Sequence, residues 1–297
     1  MNIQNKIANW TKLDSVGDLL VPAVDRLVTI IQPPKGWVPL ELRGLWEYRD
    51  LLYLFVWRDL KLRYKQTMVG ASWAIIQPFI AMVVLSIFFG KLIKVPSEGI
   101  PYPIFAYTAL VPWMYFVNAL TQSSNSVVGN YTLITRVYFP RLVIPITTVV
   151  TGLLDFAIAF AILIGMMLFY GIVPTAAIWT LPFFILLTIA TALGLGLWLA
   201  ALNVEYRDVR FILPFLTQIL FFITPVAYPS SLVPEPWRAI YSLNPMAGVV
   251  EGFRWALLGK AQPPSVVLVI SVIAVIGLLI GGLYFFRYKE GTFADVI

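Results

Sequence analysis

Few side chains in this 297-residue chain could carry chemistry, and their scarcity narrows the reading at once. There is no Cys and no His. That removes thiolate nucleophiles, imidazole bases and the usual zinc or haem ligands, so no metal site is expected. A nucleotide-binding P-loop needs Gly-Lys followed by Ser or Thr. The two Gly-Lys pairs, Gly90-Lys91 and Gly259-Lys260, run on into Leu and Ala. Asp155 stands apart because it is the only acid well inside a long apolar run, where a charge costs at least a few kcal/mol. Two chemistries are open to it: a proton relay, or a protonated or hydrogen-bonded acid that holds helices together. A relay needs partners, and the sequence offers no Lys, Arg or His at comparable depth. Glu251 and Arg254, three apart, share a helix face and can pair, either as a gate contact or as a solvated rim pair worth little.

Aromatics form 15% of the chain. Trp113, Tyr115, Phe116, Phe221, Phe222 and Tyr228 could offer flat faces to the C–H surfaces of sugars, with Asn118, Gln122 and Gln218 as hydroxyl partners. The competing reading is interfacial belts and lipid-facing bulk, where aromatics also gather.

The elements that must position these residues follow from composition. The chain is 60% hydrophobic and 12% charged, against roughly 45–50% apolar and about 25% charged in soluble domains. Mean hydropathy is +0.84. This predicts an all-α integral membrane protein. Apolar runs place six spans at about 68–90, 104–124, 145–170, 178–202, 211–228 and 266–286. Residues 1–44 read as a charged leader without a signal-peptide core, and 291–297 as a short tail. Residues 45–66 read as a helix whose seven-residue apolar run, about 10 Å long, cannot cross a core of about 30 Å and should lie in the membrane surface. Residues 229–264 form a Pro-rich, aromatic segment enclosing Pro245–Leu258, which is too short to span and reads as re-entrant or interfacial.

Charge sets the orientation. Ten of the 21 Lys and Arg lie in residues 1–65. With six crossings, Arg136, Arg141, Arg207, Arg210, Arg287 and Lys289 share that side, leaving five cations on the other. By the positive-inside rule both termini are cytoplasmic, with Arg58, Lys61, Arg63 and Lys65 fixing the inner end of the first span. The net charge of +6 is thus read as loop bias, with no nucleic-acid partner expected. No internal repeat points to a pseudo-symmetric secondary transporter.

Five motifs then occur in order: Arg58-Asp-Leu-Lys-Leu-Arg-Tyr-Lys-Gln-Thr-Met-Val-Gly-Ala-Ser-Trp73, Tyr138-Phe-Pro-Arg141, Asn203-Val-Glu-Tyr-Arg-Asp-Val209, Thr224-Pro-Val-Ala-Tyr228 and Leu243-Asn-Pro-Met246. Together they resemble the permease subunit of bacterial type-2 ABC exporters for polysaccharides, the group handling O-antigen, capsule and teichoic acid chains. The likeness covers about residues 45–290. It implies a homodimer in the bacterial inner membrane, with a path for a lipid-linked polysaccharide between protomers. It also implies two copies of a cytoplasmic ABC ATPase that bind the ATP and magnesium, so this chain would hold no cofactor and would not itself be an enzyme. By the same resemblance, 45–66 matches the interface helix, with Arg58, Lys61, Arg63 and Lys65. Tyr131, Arg136, Tyr138 and Arg141, with the Glu205, Arg207 and Asp208 loop, match the ATPase-coupling surface. Asn244, Pro245, Glu251 and Arg254 match the outer gate. A type-2 exporter of a drug or small lipid would share the fold, and an ion-coupled transporter would lean on Asp155.

Overall fold

The computed structural model describes residues 46–65, 70–234, 237, 241–259 and 266–293. The leader 1–44 and the end of the tail lie outside them. Among the described residues every regular element is a helix. The helices are α1 (Arg49–Lys65), α2 (Gly70–Leu85, running into a π-helical turn at Ser86–Leu92), α3 (Tyr102–Gly129) and α4 (Tyr131–Arg136). They continue as α5 (Val143–Phe169), α6 (Leu181–Glu205, entered through a 3-10 turn at Ala176–Thr180), α7 (Val209–Ile223), α8 (Pro245–Leu258) and α9 (Val266–Glu290).

Among the described residues, five stretches are long and apolar enough to cross a bilayer: Ser72–Leu92, Tyr102–Gly129, Val143–Phe169, Ala176–Glu205 and Leu268–Glu290. The chain is therefore a polytopic membrane protein. The run expected at 211–228 behaves differently. Its helix, α7, stops at Ile223 after 15 residues, about 22 Å at 1.5 Å per residue. Thr224-Pro225 ends it: the residue before a proline is pushed out of the α region, and Thr224 sits in extended backbone at ψ 141°.

Helix α3 is the hub. It packs against α5 and α6, and α6 packs in turn against α9. Two of its buried hydroxyls are satisfied locally, as hydrocarbon favours: Thr108 donates to the Ile104 carbonyl at 2.8 Å and Ser126 to the Ser123 carbonyl at 2.7 Å, whereas the Ser123 and Ser124 hydroxyls meet no partner among the described residues. The α6–α9 contact relies on small residues. A Cβ on Gly282 would stand 2.5 Å from the Gly194 carbonyl oxygen, and one on Gly194 would lie 2.9 Å from the Leu279 amide. Such close backbone approach is how helices associate where lipid offers no hydrophobic drive.

The helix ends fall into two groups. At one end Lys289 pairs with Glu205 at 2.7 Å, the Arg141 amide donates to the Glu290 carboxylate at 3.0 Å, and Phe55 of α1 meets Phe139 edge-on at 5.7 Å. This α1 end gathers the C-termini of α3, α6 and α9 and the N-terminus of α5. At the other, the Tyr102 hydroxyl donates to the Ala227 carbonyl at 2.6 Å and Thr175 to Ala256 at 3.0 Å. This is the α8 end.

Candidate functional site: an α1–α5 latch, a clamped short helix and an exposed basic end

Helix α1 is apolar on two sides. Leu51, Leu52 and Phe55 pack against the bundle, while Tyr53, Leu54, Trp57 and Leu62 are exposed. That explains why its charges do not collect on one face. Arg58 is paired with Asp59 at 2.8 Å, lies over the Phe55 ring at 4.8 Å and reaches the Asn130 side chain at 3.4 Å. Lys61 sits over Trp57 at 5.0 Å, and Lys65 is exposed.

Arg63 changes the reading of Asp155. Its guanidinium forms an ion pair with the Asp155 carboxylate, to which the Tyr64 hydroxyl also donates. The expectation that no cation lies at Asp155's depth is therefore corrected. The partner comes from α1, 92 positions away, and spacing along the chain could not reveal it. The pair ties α1 to α5. Partial burial, with Asp155 as hydrogen-bond partner, raises the Tyr64 phenol above the ordinary tyrosine range, so it acts as a donor and not as an acid. Of the two chemistries open to Asp155, the helix-holding one matches this geometry.

Arg254 also departs from expectation. It is no solvated rim residue: it is 4% exposed. Its guanidinium donates to the carbonyls of Pro225 at 2.7 Å, Val226 at 2.9 Å and Tyr228 at 3.3 Å, and Nε to Phe105 at 3.4 Å. It stacks 3.6 Å above the Phe105 ring. A chain broken at Thr224 leaves carbonyls without helical partners, and a planar five-donor fork is suited to collecting them. Asn244 completes the clamp. Its side chain caps α8 by accepting from the Met246 amide at 3.1 Å and donates to the Thr224 hydroxyl at 2.9 Å. Pro245 takes the first helical position, where its missing N–H is harmless. Glu251 is half-buried on the same helix.

The aromatic set divides. Trp113 and Phe116 are buried, with Trp113 edge-on to Phe221 at 5.7 Å. Tyr115 is buried and donates to the Val149 carbonyl at 3.1 Å. Gln218 and Phe222 are exposed on α7, and the Tyr228 hydroxyl returns to the Phe222 carbonyl at 2.8 Å. Trp113 and Phe116 thus face the interior of the single chain, not an open route. By contrast, Tyr115, Asn118 and Gln122 share a cavity of about 310 Å³ with Arg63, Gln77 and Asp155.

At the α1 end, Tyr131, Arg136 and Tyr138 are exposed, Tyr138 at 71%. Arg207 and Asp208 are exposed as well, and Arg207 lines a cavity together with Tyr131. Arg141 differs from its neighbours. Its guanidinium reaches the Glu290 backbone carbonyl, and its amide holds the Glu290 side chain, which also pairs with Arg287 at 2.8 Å. Glu205 is taken by Lys289. These two are internal ties more than free docking groups, because their partners on α9 are remote in sequence.

A bundle of long apolar helices, with α1 latched to it and the short α8 buried at one end, describes a multi-pass membrane protein. Residues 50–258 match the family model for the ABC-2 type transporter. The chain belongs to that family, whose membrane chains are non-catalytic transport subunits. It is 30% identical over 263 residues to the O-antigen export system permease protein RfbA of Myxococcus xanthus, covering 86% of this chain and 98% of that protein. An RfbA of Klebsiella pneumoniae is 28% identical over 249 residues, 84% of this chain and 95% of its own. The polysialic acid transport protein KpsM of Escherichia coli is 25% identical over 240 residues, 78% and 91% respectively.

Proposed function

We propose that this chain is the channel-forming subunit of an ATP-driven exporter that moves a lipid-linked polysaccharide across the inner membrane. The observation that carries this reading is the alignment, through nearly their whole lengths, with permeases named for O-antigen and polysialic acid export. Two protomers would form the path, and two copies of a separate ATPase, holding ATP and magnesium, would dock at the α1 end. That end would be cytoplasmic, with both termini there. The α7 helix would count as the sixth crossing, because it starts beside Glu205 at the α1 end and its continuation meets Tyr102 and Arg254 at the α8 end. Helix α8 would then be re-entrant, its irregular lead-in tolerated because it is buried in protein.

Two features support docking at the α1 end. Tyr131, Arg136 and Tyr138 are exposed there as a basic and aromatic group, and the Arg63–Asp155 pair gives α1 a mechanical link to α5. ATP-driven closure of the partner would press on this group and on α1, and the link would pass the push into the spans. The test is purification with candidate ABC ATPases in lipid nanodiscs, followed by ATP turnover with and without lipid-linked glycan. Co-purification and glycan-stimulated turnover are expected. A complex that assembles but responds only to drugs or simple lipids would replace the polysaccharide with those substrates.

A further inference from the structure

The polar face of α3 has an unusual neighbour. Asn118, Gln122, Asn125 and Gly129 follow one another at helical spacing. Two cavities open along this stripe. One, about 310 Å³, includes Gln77, Asn118, Gln122 and Trp73 in its lining; the other, about 510 Å³, includes Thr121, Asn125, Ser126 and Thr148. Gln122 belongs to both: the first lies among α2, α3 and α5 with Arg63 of α1, the second between α1 and α3 beside Thr148 of α5, and the two together make up a trough.

Three properties of the trough restrict its occupant. First, Gln77, Asn118 and Gln122 make no side-chain hydrogen bond among the described residues. Asn118 stands eleven residues inside α3, about 16 Å from its end. Asn118 is half-buried while Gln77 and Gln122 are exposed; in a span an amide without a partner costs on the order of a few kcal/mol, so these groups are open to a polar ligand. Second, the charges cancel. The lining cations, Arg63 and Arg58, are paired with Asp155 and Asp59. A phosphate would have to break an ion pair to bind, whereas a neutral ligand would not. Third, each amide both donates and accepts, as a sugar hydroxyl does. Trp73, Tyr115 and Phe156 supply aromatic surface beside them.

We propose that the trough lined by α1, α2, α3 and α5 binds a neutral sugar unit of the transported glycan, with Gln77, Asn118 and Gln122 as its hydrogen-bonding groups. This rests on the polysaccharide reading above and gives it a place in the chain distinct from the buried Trp113 and Phe116. The sugar would enter along α1, and the latch residue Arg63 would stand at the wall of its site.

The chain has no native cysteine, so a single introduced thiol reports on one position. The experiment uses the ATPase-bound complex in nanodiscs carrying Asn118→Cys or Gln122→Cys, with Val173→Cys in the exposed loop after α5 as control. Labelling by a small maleimide is timed alone, with lipid-linked neutral glycan, and with the same lipid carrier lacking sugars. At glycan ten times its half-saturating level, labelling at both trough positions should slow about tenfold while the control is unchanged. The bare carrier should give no protection. The proposal is overturned if the bare carrier protects equally. It is also overturned if either thiol is already unreactive without glycan, because a second copy covers it. Glycan that stimulates ATP turnover but leaves both thiols unprotected sinks the trough and leaves the exporter reading standing. Glycan that does neither removes both.

Discussion

The two ends of the bundle each carry an arginine that a sequence reader would place at the membrane rim, and they solve opposite problems. At the α8 end Arg254 is sealed inside the protein and gives its donors to carbonyls of a broken chain. At the α1 end Arg136 is exposed beside Tyr131 and Tyr138. The first end is finished within one chain, so its polar groups meet inside it. The second leaves basic and aromatic groups facing outward, as a docking surface requires. Arg63, between these extremes, joins α1 to the long apolar helix α5.

The strongest way to break this contrast is at Arg254. Arg254→Met keeps much of the volume and removes every donor, leaving the Pro225 and Val226 carbonyls without their partner. Each orphaned buried acceptor costs about 1–3 kcal/mol, so the loss should reach several kcal/mol. Thermal unfolding in detergent should show a large drop, or the protein should fail to accumulate. A variant as stable as the native chain would mean that the carbonyls find other donors and that the clamp is incidental.

Gly252→Ala probes the same end through packing. Its Cβ would stand 2.0 Å from the Phe184 ring, so α8 and α6 must separate or Phe184 must move. Overpacking of this kind costs roughly 1–3 kcal/mol. Pairing it with Phe184→Leu should recover part of that loss. Failure to recover any would show that the ring is not the obstacle.

How much of this could be read in advance depends on the range of the interaction. Four of the five long stretches, Ser72–Leu92, Val143–Phe169, Ala176–Glu205 and Leu268–Glu290, lie within a few residues of the predicted spans, because hydropathy is local. Helix α8 begins at Pro245 and ends at Leu258 as expected, since Asn244-Pro245 is a cap signal and Gly259 takes the left-handed turn at φ 70°. The second span was foreseen too short: α3 runs on through Asn125 to Gly129. The expected span stops at Ser124 because apolar residues give way there to Asn125 and Gly129, and nothing in the sequence shows that Arg58 of α1 reaches Asn130 just beyond them. The same reason hid Arg63 from Asp155, and Arg254 from Pro225. Thr224-Pro225 did offer a hint, because a break inside an apolar run must find donors for its carbonyls.

At the latch, Asp155→Asn keeps shape and removes charge. Arg63 and Asp155 are each about one-fifth exposed, so the pair is partly screened. A stability loss of about 1 kcal/mol is expected, smaller than at Arg254. The sharper readout is coupling. Glycan-stimulated ATP turnover should fall more than ATPase co-purification, because α1 would still dock but would pull less firmly on α5. An equal fall in both would assign the pair to assembly instead. Sustained proton-driven transport lost only in Asp155→Asn, without any ATPase, would restore the ion-coupled alternative.

The smallest structural effect should come from the exposed end, and that makes it the cleanest test of docking. Arg136→Glu and Tyr138→Ser alter exposed side chains, so stability should stay within about 0.5 kcal/mol of the native chain. Reversing Arg136 should nevertheless reduce ATPase co-purification, and the double variant should reduce it further, with the deficit shrinking as salt screens the surface charge. Arg141→Glu would confuse this measurement, because it would place a carboxylate against Glu290 and disturb the α9 terminus that Arg141 now holds. The separation is the point: a residue with internal partners should lower unfolding temperature and binding together, whereas one facing outward should lower binding alone. If Arg136→Glu destabilises the isolated chain as Arg141→Glu does, the α1 end is as self-contained as the α8 end. The docking surface must then be sought elsewhere, first at Arg207 and Asp208.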